Sequence, residues 1–206
     1  MMVDFKKSGL FWCVAVVGVL VLLPSMRGHA DSESETQSRP WSVFAYAGMW
    51  NDTRFEDIPQ VDLRLNNSFL GTLGLSRNIY EFNEHLLLEG EVNVTRHWGK
   101  QHHFEVNSAV SLRWRRFPWD RYVDTTFSCG LGFSYAFRRP PLEQRTHQDP
   151  TNLLLFLPIE LTFAPPRRYD IPWETFFRVH HRSGAFGLVS NARGSDFIAT
   201  GIRYRF

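Results

Sequence analysis

"FEVNSAVSLRWR", residues 104–115, is the stretch whose reading decides the fold. Phe104, Val106, Val110, Leu112 and Trp114 occupy one set of alternate positions, and Glu105, Asn107, Ser111, Arg113 and Arg115 occupy the other. Successive side chains of a β-strand point to opposite faces, so a period of two predicts a strand with one apolar and one polar face. Residues 86–97 repeat the pattern, with Leu86, Leu88, Val92 and Val94 opposed to Glu89, Glu91, Asn93 and His97. In 153–163 the row Leu153, Leu155, Leu157, Ile159, Leu161 and Phe163 backs onto Glu160 and Thr162. In 125–137 Phe127, Cys129, Leu131, Phe133, Tyr135 and Phe137 oppose Ser128, Gly130, Gly132, Ser134 and Ala136, and small inner residues suit a narrow barrel. Segments 41–50, 69–79, 173–183 and 195–206 bring the expected strands to eight; 69–79 is too apolar on both faces for its pattern to orient it.

The rest of the chain says where such a sheet would sit. Lys6 and Lys7 precede an uncharged run from Ser8 to Met26 that leads to Gly28-His29-Ala30, the pattern of a secretory signal peptide over residues 1–30. A polar lead-in over 31–40 follows. Removing the leader takes away Lys6, Lys7, Arg27 and Asp4, which leaves 20 basic and 20 acidic residues. The mature chain carries no formal net charge, and no nucleic-acid partner is expected. Cys13 leaves with the leader and Cys129 remains alone, so no intramolecular disulfide can form. No second apolar run approaches helix-spanning length, yet 15% of residues are aromatic. These observations predict an all-β protein: an eight-stranded antiparallel transmembrane β-barrel over residues 41–206, in a bacterial outer membrane. With both termini periplasmic, the outer loops would be 51–67, 98–102, 139–151 and 184–194, and Phe117-Pro118-Trp119-Asp120 would form a short periplasmic turn.

The seventh expected strand, "WETFFRVHHRS" (173–183), carries the candidate chemistry. Counting by twos from Trp173, the lipid-facing row is Trp173, Thr175, Phe177, Val179, His181 and Ser183. Glu174, Phe176, Arg178, His180 and Arg182 face a lumen that already holds Glu89, Glu91, Glu105 and Glu160. Ten residues at about 3.3 Å each, tilted by about 45°, lift Ser183 roughly 23 Å above Trp173, to the outer-leaflet interface. Counting back from Phe206 puts Asp196 on the same outer face near the same rim. A serine, an imidazole and a carboxylate on one patch are the parts of a nucleophile whose base is oriented by a third group. His102 and His103, with His97 nearby, have no metal-ligand spacing of known type and read as a solvated loop, so no metal or other cofactor is expected.

The exported barrel, the His181-x-Ser183 pair on its penultimate strand and the downstream carboxylate resemble the lipid A 3-O-deacylase (PagL) family of outer-membrane hydrolases. "RWRRFPWD" (113–120) and "GLGFSYAF" (130–137) look more like a related group often placed beside those deacylases. The resemblance implies that Ser183 is the nucleophile, His181 the general base and Asp196 the orienting acid. It implies hydrolysis of the ester-linked 3-hydroxyacyl chain at position 3 of lipid A in lipopolysaccharide, without a metal. The family acid is usually glutamate, and the residue after its serine is usually asparagine; Gly184 here leaves the oxyanion to backbone N–H groups of Gly184 and Gly187. Arg138, Arg139 and Arg193 in the outer loops would meet the lipid phosphates. The ending Ile202-Arg203-Tyr204-Arg205-Phe206 resembles the closing strand that outer-membrane assembly machinery recognises through its terminal aromatic.

These residues fit two function classes: an ester hydrolase acting on a membrane lipid, and a non-enzymatic small barrel with a structural or loop-mediated binding role. Contact between His181 and Ser183 is needed by the first and irrelevant to the second.

Overall fold

The computed structural model describes residues 39–53, 58, 63–140, 151–184 and 194–206. The expected signal peptide, residues 31–38 of the lead-in, Gly187 and Arg193 lie outside the described residues. Eight strands follow one another: β1 (Trp41–Asn51), β2 (Leu65–Glu81), β3 (Leu86–Gly99), β4 (Phe104–Trp114), β5 (Asp124–Ala136), β6 (Leu153–Ala164), β7 (Trp173–Ser183) and β8 (Ser195–Arg205). Each pairs antiparallel with its sequence neighbour, and β8 returns to β1 to close the barrel. Closure leaves no unpaired sheet edge, the condition for a sheet to cross hydrocarbon.

Alternation sets the two surfaces. On β4, Glu105, Asn107, Ser111 and Arg113 are buried, while Phe104, Val106, Val110 and Trp114 are exposed on the outside. The pattern of β2 alone could not orient it; in the barrel Leu70 joins a core of Phe44, Tyr46, Phe176, Phe197 and Ala199, while Leu73 faces outward. β2 also extends past its expected bounds at both ends, because β1 and β3 each offer it a partner strand there.

Charge fills the half of the lumen nearest the termini. Glu160 accepts from Arg113 Nη2 at 2.9 Å, Arg178 Nη2 at 2.6 Å and Arg203 Nη2 at 3.0 Å. Glu89 takes Arg113 Nε at 3.0 Å, Glu91 takes Arg178 Nη1 at 2.8 Å, and Glu174 pairs with Arg205. The guanidiniums also lie against rings, Arg178 5.0 Å from the Phe44 centroid and Arg203 5.1 Å from that of Phe176. Ions this far from water hold together only when each one is paired and hydrogen-bonded. These cross-braces tie β3, β4, β6, β7 and β8 through the lumen, so the interior is a filled core.

Small inner residues set how closely the strands and their contents approach. A Cβ on Gly132 would lie 1.8 Å from Ser108 O and 2.5 Å from Ala109 Cα, both backbone atoms of β4. On the outer face, a Cβ on Gly71 would meet only the Trp98 ring, at 3.1 Å. Gly132→Ala is therefore expected to destabilise the barrel by about 1–3 kcal/mol, whereas Gly71→Ala leaves it within about 0.5 kcal/mol. Urea midpoints of the two variants in lipid vesicles check this; equal midpoints would contradict the close approach.

Residues 82–85, 115–123 and 165–172 close hairpins at the end that holds the termini, and the strand ends that bound the longer connections 52–64, 137–152 and 184–194 lie at the other end with the short turn 100–103. Side chains fix the first group: Asn83 Oδ1 accepts from His85 N at 2.8 Å, and Asp120 Oδ2 from Phe117 N at 2.9 Å.

Candidate active site

β7 carries no register shift against either neighbour, so its two rows stay on opposite sides of the wall along its whole length. Trp173 and Phe177 on the odd row are 52% and 59% exposed, while Arg178, His180 and Arg182 on the even row are buried in the lumen. His181 and Ser183 continue the outward row. Near the rim that row is shielded: His181 is 7% exposed and Asp196 8%, although both belong to the outside of the wall.

His181 and Asp196 are direct cross-strand partners in the β7–β8 ladder. His181 Nδ1 donates to Asp196 Oδ1. That bond fixes the tautomer, leaving Nε2 as the nitrogen able to take a proton. Opposite residues in a sheet sit about 4.5–5.5 Å apart at Cβ, within the reach of an aspartate and an imidazole. Aspartate thus suffices where the two strands place the pair side by side. On β6, Leu157 lies opposite His181 and Leu155 opposite Ser183, so the polar pair has apolar neighbours on the membrane side. Such surroundings strengthen a carboxylate–imidazole bond relative to water.

Ser183 is the last residue of β7 and half-buried, two positions beyond His181 on its row, about 7 Å away at Cα. Gly184 follows it, buried. Arg138 and Arg139 are exposed just past the end of β5, at the same rim but two strands from β7. The structure thus joins His181 to Asp196, sets Ser183 on their row and leaves the two arginines apart from them.

A second polar centre lies inside the same end of the barrel, and it corrects the expectation for the histidine turn. His102 is exposed as expected, but His103 is 2% exposed and its ring stacks on His97 with centroids 4.3 Å apart and planes 8° from parallel. The physical reason is that the turn is short: His97 N donates to His103 O at 2.9 Å, which extends the β3–β4 ladder and gives His103 the inward parity of Glu105. Burial lowers the His103 imidazole below its ordinary range, so the ring is neutral at pH 7. Glu105 gathers the centre. His97 Nε2 lies 3.1 Å from its Oε2, His180 Nε2 2.8 Å from its Oε1 and Arg182 Nε 3.4 Å from Oε2. Tyr46 Oη lies 2.8 Å from His180 Nδ1. The alternation places Glu105, His97, Glu174, His180 and Arg182 on inner rows but was not extended to Tyr46, Arg203 and Arg205; the same parity applied to β1 and β8 finds them.

No protein-family model and no curated protein matches the chain. Among solved structures, the chain is similar to the outer-membrane enzyme PagL, with a TM-score of 0.56 and 13% identity over 80% of this chain and 99% of that one. It is also similar to Neisserial surface protein A, with a TM-score of 0.49 and 11% identity over 82% of this chain and 98% of that one. At such identity the likeness to PagL is one of fold. Together with the closed sheet and its apolar exterior, it makes this chain a small β-barrel of the bacterial outer membrane.

Proposed function

We propose that the protein is a serine ester hydrolase that works on lipopolysaccharide from the outer face of its own wall and removes an ester-linked 3-hydroxyacyl chain from lipid A. The hydrogen bond between His181 and Asp196 carries this reading. A buried carboxylate placed against one nitrogen of an imidazole, on the membrane side of the wall, stands apart from the ion network that braces the lumen. It prepares the other nitrogen to accept a proton.

In the proposed reaction Ser183 Oγ attacks the ester carbonyl while its proton passes to His181 Nε2. Asp196 holds the imidazole in place and stabilises its charged form. The carbonyl oxygen becomes an oxyanion, served by the backbone N–H of Gly184 and of Gly187. Collapse expels the sugar hydroxyl, which takes the proton back from His181, and the acyl chain stays on Ser183. Water, deprotonated by the same imidazole, then releases the free 3-hydroxy acid. The acyl chain can stay in hydrocarbon throughout, because the ester lies at the height of Ser183, and Arg138, Arg139 and Arg193 would meet the lipid phosphates at the rim.

Mass spectrometry of lipid A from cells that make the protein tests the reading. The expected spectrum shows loss of one 3-hydroxyacyl chain relative to cells without the gene. An unchanged spectrum, with the protein folded in the outer membrane, overturns it. Replacing the orienting acid gives a second expected result: Asp196→Asn lowers kcat by up to about 10⁴-fold with KM little changed, while Asp196→Glu keeps measurable turnover. Equal rates for Asp196→Asn and the unaltered protein would remove Asp196 from the mechanism.

A further inference from the structure

The histidine centre inside the rim has donor atoms that its own hydrogen bonds do not use. His97 Nε2 and His103 Nε2 both face Glu105 Oε2, at 3.1 and 3.7 Å, and one donor atom from each of the three residues lies within 4.8 Å of the others. All three residues are buried. Among the described residues neither nitrogen of His103 has a hydrogen-bond partner, and neither does Gln101 Oε1. Unsatisfied buried polar atoms carry a desolvation cost, and three of them on two neighbouring residues of this centre call for an explanation.

We propose that His97, His103 and Glu105 form a binding site for a divalent transition-metal cation, zinc being the ion best matched to two imidazoles and one carboxylate. Bonds of about 2.0–2.1 Å to a tetrahedral ion put neighbouring ligand atoms roughly 3.4 Å apart, between the two separations to Glu105 found here. Gln101 completes the arrangement. Its Nε2 lies 3.1 Å from His97 Nδ1, and turning the amide over would place the partnerless Oε1 there. His97 would then carry its proton on Nδ1, donate it to Gln101 Oε1 and bind the ion through Nε2, the usual outer-sphere support of a ligating histidine. This takes a proton shift between the two His97 ring nitrogens and, since the His97 and His103 rings stack with planes 8° from parallel, a turn of the His103 ring toward the ion.

Arg182 is the opposing charge, with Nε 3.4 Å from Glu105 Oε2. It also reaches Ser134 Oγ at 2.8 Å and Asn152 O at 3.3 Å, so it stays anchored when the cation takes that oxygen, and Glu105 keeps its second oxygen for His180. The cation enters from the extracellular side, since His103 belongs to the short turn between β3 and β4. There it would tie that turn to the inner wall. The site lies on inward rows and stands independently of the esterase reading.

The test titrates ZnCl2 into the untagged, folded barrel in detergent micelles by calorimetry, with Co2+ absorption as a second readout of the ligand field. One ion per chain is expected, with a tetrahedral cobalt spectrum. Gln101→Ala should weaken binding about 10–100-fold, His103→Gln should weaken it further, and His102→Gln should leave it unchanged. The heat-modifiable migration of a folded barrel on gels identifies any variant that fails to fold, and Gln101→Ala keeps the test open if His103→Gln does. No saturable binding by the unaltered protein, or equal binding by it and the Gln101 and His103 variants, would overturn the site.

Discussion

Ser183→Ala is expected to lower the rate of ester hydrolysis by the purified barrel by at least about 10³-fold while leaving its folding and its affinity for lipid A unchanged. The size follows from the role: without Oγ no acyl-enzyme can form, and only the weak catalysis of oriented groups acting on water remains. On the proposed function affinity persists, because the acyl chains and phosphates would contact parts of the wall and rim that the substitution leaves intact. Ser183 is half-buried at the strand end, so the loss of one hydroxyl removes little packing. Rates on lipid A in micelles, measured by release of the free 3-hydroxy acid, check the result. A variant that hydrolyses as fast as the unaltered protein would leave His181 and Asp196 as a structural pair.

The largest expected effect on stability lies in the lumen. Arg113, Arg178 and Arg203 converge on Glu160, which has no exposure to water, so Glu160→Gln leaves three guanidiniums with one negative charge fewer among them. Breaking a buried ion pair from one side costs about 3–5 kcal/mol, because the stranded guanidinium can neither give up its proton cheaply nor reach solvent. Urea unfolding in vesicles, followed by tryptophan fluorescence, should show a loss of that size. The double variant Glu160→Gln/Arg203→Gln should recover part of it, since one excess positive charge goes too. A loss below about 1 kcal/mol would mean that the other lumen carboxylates carry the arginines without Glu160.

Much of the barrel was legible because its physics is local. A wall between lipid and a polar lumen forces each strand to alternate, and β3, β4, β5 and β6 carry that alternation in their own residues. β2 was ambiguous because Leu70 and Leu73 are both apolar for different reasons, one filling the core and the other facing lipid. Parity along β7 and β8 gave the outward row of His181, Ser183 and Asp196. It could not give the pairing between the strands: that depends on register, which places Trp173 opposite Tyr204 and therefore His181 opposite Asp196. His103 was misread for a related reason. A run of polar residues between two strands reads as solvated, and only the continued ladder from His97 to His103 turns that ring inward.

The proposed hydrolysis requires an activated serine on the membrane face of β7. Covalent labelling with a lipophilic fluorophosphonate, read by intact mass and peptide mapping, tests it most directly. One adduct per folded chain is predicted, on Ser183, with the labelling rate falling by orders of magnitude in His181→Ala. No adduct on the folded barrel, or labelling at another residue that survives the loss of His181, would contradict it.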